Sequence, residues 1–543
     1  MRFLFALIFA FIIGSHAFAD KVSPYKEPYK FESVDDFYLI EGAGLFPSGS
    51  RDALPVGMWD GSKRSDITNI IKDMPVNSSS FVVQDMIKAI LLSENNVEEL
   101  RHYKDVDPGE DLLTLRIYKL IEGGFYKDAL TLYNVAVEQP HHKAIAKAGI
   151  LAMLGTGGKS IACLEMKILG HIESDDDFWR VFKAYCDYTL SDNPSEDAQA
   201  ILKDTRHEII RSLAFNENFI FPYAVDDWAQ LHILEQNILI SEGRIEAPVL
   251  DDELLNDIPP RDVVALLSLE TLNSKDRVLF TLKARQWGLV ETNSLTDAYL
   301  NINDQDFLSG LPALFQSLQD EEDNDKTRDI ILKALDQDSD YNSVALLPFA
   351  SAISEFPLKD ISDNQMRKIL NILYLEDLRS FEISITQYLN YYDVKSENSV
   401  FLSNIHLIPL VLNIPESHDF MKNVLKNGIF HKNIGNNEQF NIEPLDKVSS
   451  DVDNALKVYE KDSVSDEKTV VLNTLKQLKK SSNNNALGET VLLSIKLLFE
   501  GNIHLIDDFL FSDIKDGLEQ VELNKFSRKM VIEHHIGDKK GRS

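Results

Sequence analysis

Gly155-Thr156-Gly157-Gly158-Lys159-Ser160 is the stretch whose residue types come nearest to a phosphate cradle. A glycine-rich loop of that kind turns consecutive backbone N–H groups toward phosphate oxygens and sets a lysine against the outer phosphates. The spacing denies it. A phosphate loop carries another glycine five residues before its Gly-Lys-Ser, and Met153 stands there. A strand should also lead in, whereas the preceding residues repeat at helical spacing. The expectation is a turn between two helices, with no nucleotide bound.

Other candidate chemistry fails in similar ways. Asp336-x-Asp338-x-Asp340 opens like a calcium loop, but its sixth position is Tyr341 instead of Gly and its twelfth is Leu347 instead of Glu. A solvated turn that caps the next helix is expected there. His141-His142 and His534-His535 are adjacent pairs, which point in different directions on a helix and chelate poorly; both are expected at the surface. No His-Glu-x-x-His zinc signature and no Gly-x-Ser-x-Gly elbow occurs. Gly517-Leu518-Glu519-Gln520 is similar to a fragment of the lytic transglycosylase motif. The following Pro is missing and no Glu-Ser pair precedes it at the right distance. No catalytic residue, metal ligand or cofactor-binding residue is assigned, and no cofactor is expected.

The two cysteines carry a positive expectation. Cys163 and Cys186 are the whole complement, and an even pair in an oxidising compartment invites a disulfide. Ile161, Leu164, Met166, Ile168 and Leu169 have helical spacing. Ser174-Asp175-Asp176-Asp177 gives a helix start, and Phe178, Val181, Phe182 and Tyr185 continue on a second helix. The midpoint of the cysteine pair falls in the turn between them, so an antiparallel hairpin brings the two side by side. Ala162 and Ala184 allow the helices to approach closely. The bridge is expected to be structural.

The elements that must position these residues are helices. From Ser80 onward apolar residues recur at three and four, as in Met86, Ile87, Ile90 and Leu91, or Met366, Ile369, Leu370 and Leu373. Strand-like alternation is scarce. The fold class expected is all-α, an α-solenoid of helical hairpins preceded by an extended N-terminal arm.

One stretch is sharper. Gly124, Tyr126, Ala129, Tyr133 and Ala136 sit at the offsets of the second half of a tetratricopeptide repeat, and Pro140 closes the unit one residue early. The segment resembles that family. The preceding helix departs from it, with Arg116 and Ile117 where Leu-Gly is usual, and Gly157, Ala162 and Met166 echo the spacing weakly. The resemblance implies paired helices whose small alanines permit close approach and whose aromatics fill the groove. Leu54-Pro55-Val56-Gly57-Met58-Trp59-Asp60-Gly61 also resembles a segment of exported helical-repeat proteins of Gram-negative bacteria, which implies the periplasm.

The start of the chain agrees with export. Met1-Arg2, an apolar run from Phe3 to Gly14 and Ala17-Phe18-Ala19 make a cleavable signal with the cut between Ala19 and Asp20. No later run reaches the ~18 apolar residues of a membrane span. A net charge of −32 argues against binding nucleic acid over a broad surface. The expected organisation is a signal at 1–19, a Pro- and Gly-rich arm at 20–80 anchored by Trp59, and a repeat region at 81–320. Helices follow at 326–430, a linker at 431–451, C-terminal helices at 452–536 and a basic tail at 537–543. The functional expectation is a periplasmic, non-enzymatic scaffold that binds other envelope proteins. The alternatives are an envelope glycan or peptidoglycan hydrolase whose carboxylates lie among the 87 acidic residues, and a secreted effector or surface protein.

Overall fold

The computed structural model describes residues 41–97, 111–136, 143–169, 176–376 apart from 251, 303–309, 320, 322, 338–343 and 356–360, then 466–500 and 508–536. The proposed signal with its Ala19–Asp20 junction, the turn at Ser174, Pro140, His141-His142, the linker and the basic tail lie outside them.

The protein is all-α. Its N-terminal part consists of α1 (Arg64–Asp73), α2 (Phe81–Leu92), α3 (Leu112–Glu122), α4 (Tyr126–Ala136), α5 (Lys143–Gly155), α6 (Lys159–Ile168) and α7 (Asp177–Leu190). α8 (Glu196–Asp204), α9 (Glu208–Phe215), α10 (Val225–Gln230) and α11 (Ile233–Glu242) follow. α12 (Asp252–Asp257), α13 (Pro260–Leu267), α14 (Ser274–Gln286), α15 (Thr292–Leu300), α16 (Leu311–Gln319) and α17 (Asn324–Gln337) lead to a 3₁₀ turn at Val344–Phe349. α18 (Ala350–Ser354) and α19 (Asp363–Glu376) end that part; α20 (Asp466–Asn483), α21 (Leu487–Glu500), α22 (Asp508–Gln520) and α23 (Asn524–Ile536) complete the helices. The one named sheet among the described residues is a two-residue parallel pair, β1 (Phe221–Pro222) and β2 (Ile245–Glu246).

Local chemistry explains where helices begin. Asp111 accepts from Thr114 N at 2.7 Å ahead of α3, and Asn273 accepts from Asp276 N at 2.8 Å ahead of α14. Each satisfies a donor that a first helical turn leaves open, worth about 1 kcal/mol. His232 and Glu235 form a capping box on α11, and Gly243 closes that helix in the left-handed region at φ 61°.

Helical hairpins α3–α4 and α5–α6 stack, with α5 packed on both α3 and α4. α11 then packs against α5. A larger apolar core runs through α1–α11, α13, α14 and α20–α23, and a second gathers α15–α19 with Val278 of α14 and Ile532 of α23. An open stack touches only its sequence neighbours. Here the C-terminal helices return: α21 packs on α1 and α2, and α23 on α2 and α19.

From Glu41 onward the N-terminal segment is turned and packed, not extended. Leu45 N and Phe46 N both donate to Leu92 O, and Leu54, Met58 and Trp59 are fully buried. Trp59 Nε1 donates to Asn95 Oδ1 at 3.2 Å. A Cβ on Gly488 would lie 2.5 Å from the Trp59 ring, so glycine at the start of α21 is what admits the indole. Arg116, the residue that departs from the repeat pattern, is wholly buried. It donates to Leu91 O at 2.7 Å, Ala43 O at 2.8 Å and Ser93 O at 3.1 Å, fixing the segment to α2.

Candidate functional site

The repeat-like positions, both cysteines and the glycine-rich turn all lie on α3 to α7. Gly124 has φ +83° in the α3–α4 turn, a conformation costly for a residue with a Cβ. Tyr126, Ala129 and Tyr133 are buried on α4, and Ala136 is its last residue. The aromatics fill the groove only because α5 is notched. A Cβ on Gly155 would lie 2.0 Å from the Tyr126 ring, and one on Gly149 would lie 2.4 Å from the Tyr133 ring. Tyr126 Oη accepts from Arg261 Nε at 3.1 Å, and Tyr133 Oη donates to Glu165 Oε1 at 2.6 Å, reaching from α4 to α6. Burial, with the adjacent Glu165 carboxylate, holds the Tyr133 phenol far above its ordinary range.

Cys163 and Cys186 face each other across α6 and α7. Their Sγ atoms are 2.04 Å apart and their Cα atoms 5.4 Å apart, which is a disulfide. Ala162 and Ala184 are buried beside them.

The glycine-rich segment is the turn between α5 and α6. Gly157 has φ +82°, and Gly158 N donates to Met153 O at 2.8 Å, closing the helix end on itself. Lys159 Nζ lies 2.7 Å from Glu242 Oε1, the same oxygen that accepts from Tyr185 Oη at 2.5 Å. One carboxylate on α11 thus ties α6 and α7 to the layer beneath.

A second polar hub lies on α7, α9 and α11. His207, nearly buried, has Nε2 3.4 Å from Asp177 and Nδ1 3.6 Å from Glu235. Glu235 also accepts from Ile209 N and His232 N at 3.2 Å each, so it caps two helices. Burial raises the Glu235 carboxyl, but His207 and the two N–H groups outweigh it and leave it below the usual carboxylate range. A hydrogen bond from Arg180 lowers that of Asp177. The cluster is built to hold helix ends. Among the described residues no three His, Cys, Asp or Glu side chains converge as metal ligands.

His534 corrects an expectation. It is buried, stacked on Phe511 with ring centroids 4.3 Å apart, and not at the surface. Glu519, from the transglycosylase-like tetrapeptide, accepts from Ser527 Oγ at 2.6 Å and from Lys515. Asp336 lies within α17 and accepts from Gln365; Asp338 and Asp340 lie outside the described residues. A cleft of about 180 Å³ between the two cores holds Asp85 and Glu291, and Lys529 pairs with Asp85.

The other face of α6 is open. Ile161, Leu164 and Ile168 are 61%, 57% and 61% exposed, while Ala162, Cys163 and Met166 face inward. The spacing of three and four puts the three aliphatics in one stripe. Comparison with protein-family models, curated proteins and solved structures finds no match for the chain. The site therefore stands on its geometry: a helix bolted from below by a disulfide, a tyrosine and a lysine, with its apolar stripe turned to solvent.

Proposed function

We propose that this is an exported, non-enzymatic helical-repeat protein of the periplasm that binds or scaffolds other envelope proteins, with α6 as a contact surface. The observation that supports the reading is the solvent-facing stripe of Ile161, Leu164 and Ile168. Three large aliphatics aligned on a single helix are half of a helix–helix interface, and contiguous apolar surface on a folded protein marks an interaction site. The occupant that matches is an amphipathic helix of a partner, with apolar residues at the same three-four spacing. Anchoring α6 on both sides keeps the stripe pre-formed, so little ordering entropy is spent when the partner arrives.

A photo-crosslinking amino acid at Ile168 tests this in the periplasm. The expected product is a heteromeric adduct whose purified partner binds the wild-type protein and binds Ile161→Asp/Leu164→Asp at least tenfold more weakly. Circular dichroism and melting temperature should be the same for both proteins, since surface changes cost within about 0.5 kcal/mol. Equal binding by the two proteins would remove α6 as the contact surface.

A further inference from the structure

We infer that α23 is a pH-responsive strap, which clasps the two cores together at acidic pH and lifts from α2 as pH rises past neutrality, opening the cleft between them. The strap is visible in the packing. α23 lies on α2, α19 and α22, and its consecutive residues serve different cores: Met530 and Val531 the larger one, Ile532 the second. The cleft of about 180 Å³ is walled by α2, by α14 with the turn after it, by α19 and by α23. Two fastenings hold α23 there. Lys529 pairs with Asp85 of α2, and Lys529 O accepts from Tyr374 Oη of α19 at 3.2 Å.

The third fastening is the one that titrates. Glu533 is 6% exposed and meets the first turn of α2, accepting from Val82 N at 3.0 Å and Phe81 N at 3.2 Å, with the Ser80 hydroxyl beside them. All of these donors are neutral. Among the described residues Glu533 has no ion pair, and Lys529, one turn earlier on α23, is committed to Asp85. The Asp85 carboxylate of α2 itself opposes ionisation of Glu533, and Tyr374 of α19 presents a neutral phenol. Arg285 of α14 lies over the Phe81 ring and pairs with Glu376. On α22 Glu519 is held by Ser527 and Lys515, and Phe511 stacks on His534. Lys525, about two turns from Glu533, donates to Arg51 O and Ala53 O of the N-terminal segment.

A charge on Glu533 therefore sits in a dry seam beside a like charge. Burial outweighs the donors and pushes its carboxyl up to about 7. Lifting α23 returns that group to water and to its ordinary value of 4.5. The closed strap holds a proton that the open one has lost. Closure is favoured in full below about pH 4.5, and the advantage is lost as pH rises through about 7. From pH 5.5 to 8 these two values lower the ratio of closed to open strap about 25-fold.

Hydrogen exchange of the full chain at pH 5.5 and 8, corrected for the intrinsic pH dependence of amide exchange, tests this. In the wild type, protection at 524–536 and at 82–85 should fall at least tenfold at the higher pH. Protection in α5, which does not pack on α23, should hold. Glu533→Gln keeps the shape of the protonated acid without titrating and should show no fall. Unchanged protection along α23 in the wild type overturns the strap. So does an equal fall in α5, which is a loss of stability by the whole molecule. The same fall in Glu533→Gln also overturns it, because another group is then titrating. If Glu533→Gln does not fold, the contrast between α23 and α5 in the wild type decides by itself.

Discussion

At the scale of single residues, buried ionisable groups fix how remote segments of this molecule meet. Glu533 of α23 is buried against the N-terminus of α2, accepting from Val82 N at 3.0 Å and Phe81 N at 3.2 Å. Burial dominates, and its carboxyl is pushed up to about 7 from 4.5 despite those donors. Between the two values the folded protein holds a proton that the unfolded chain has released. The contribution to stability is therefore full below about pH 4.5 and is lost as pH rises through about 7. Its size is about 3 kcal/mol. Urea unfolding from pH 5 to 8 should show the wild-type midpoint falling relative to that of Glu533→Gln, whose amide does not titrate. Parallel curves would show that Glu533 does not titrate in this way. Neither Glu533 nor Arg116 was legible in the sequence. Both sit in amphipathic stretches where a charge is ordinarily a solvated neighbour, and their partners lie in segments remote along the chain. His534 misled for the same reason, since nearness to the end of the chain says nothing of which face of α23 turns inward.

At the scale of elements, much more was legible. Helical spacing, the helix-start signal at Ser174–Asp177 and the position of two cysteines about one turn implied that α6 and α7 are adjacent, because antiparallel hairpins have mirror symmetry about their turn. The half-repeat from Gly124 to Ala136 was legible for a similar reason: Gly, Ala and aromatic residues report close packing through their sizes. What the pattern lacked was its complement. Glycine is a poor helix former, and only the rings of Tyr133 and Tyr126 lying against Gly149 and Gly155 give these two a purpose. The open stripe on α6 was also hidden, because apolar periodicity marks a face without saying whether anything covers it. The disulfide closes a loop of sequence separation 23, which stabilises the fold by about 3 kcal/mol through the unfolded state. Chemical denaturation with and without dithiothreitol should differ by that amount in the wild type. The Cys163→Ser/Cys186→Ser variant should match the reduced protein and ignore the reductant. A wild type insensitive to reductant would contradict the bond.

At the scale of the whole molecule, the seam between the two ends governs behaviour. Gly488 N donates to Met58 O at 2.7 Å, and Trp59 lies over the same glycine. Gly488→Ala forces the indole or α21 to move, at a cost of about 1–3 kcal/mol. Its signature should be remote in sequence: faster amide hydrogen exchange at 54–60 as well as around 488, with a lower urea midpoint. Exchange rising only near 488 would mean the seam is not shared. The return of the C-terminal helices was not legible, since periodicity assigns helices one at a time and carries no information on which distant pairs meet.

That seam also sets a schedule. The backbone donors at the start of α2 are met by a carboxylate 451 residues further on. At roughly 5–20 residues per second, a ribosome takes on the order of 20–90 s to reach Glu533 after making Val82. Throughout that interval the faces of α1 and α2 destined for α21 and α23 have nothing to lie against. The earliest part of the polypeptide is thus the last to be finished, and it is the part a holding chaperone would be expected to guard.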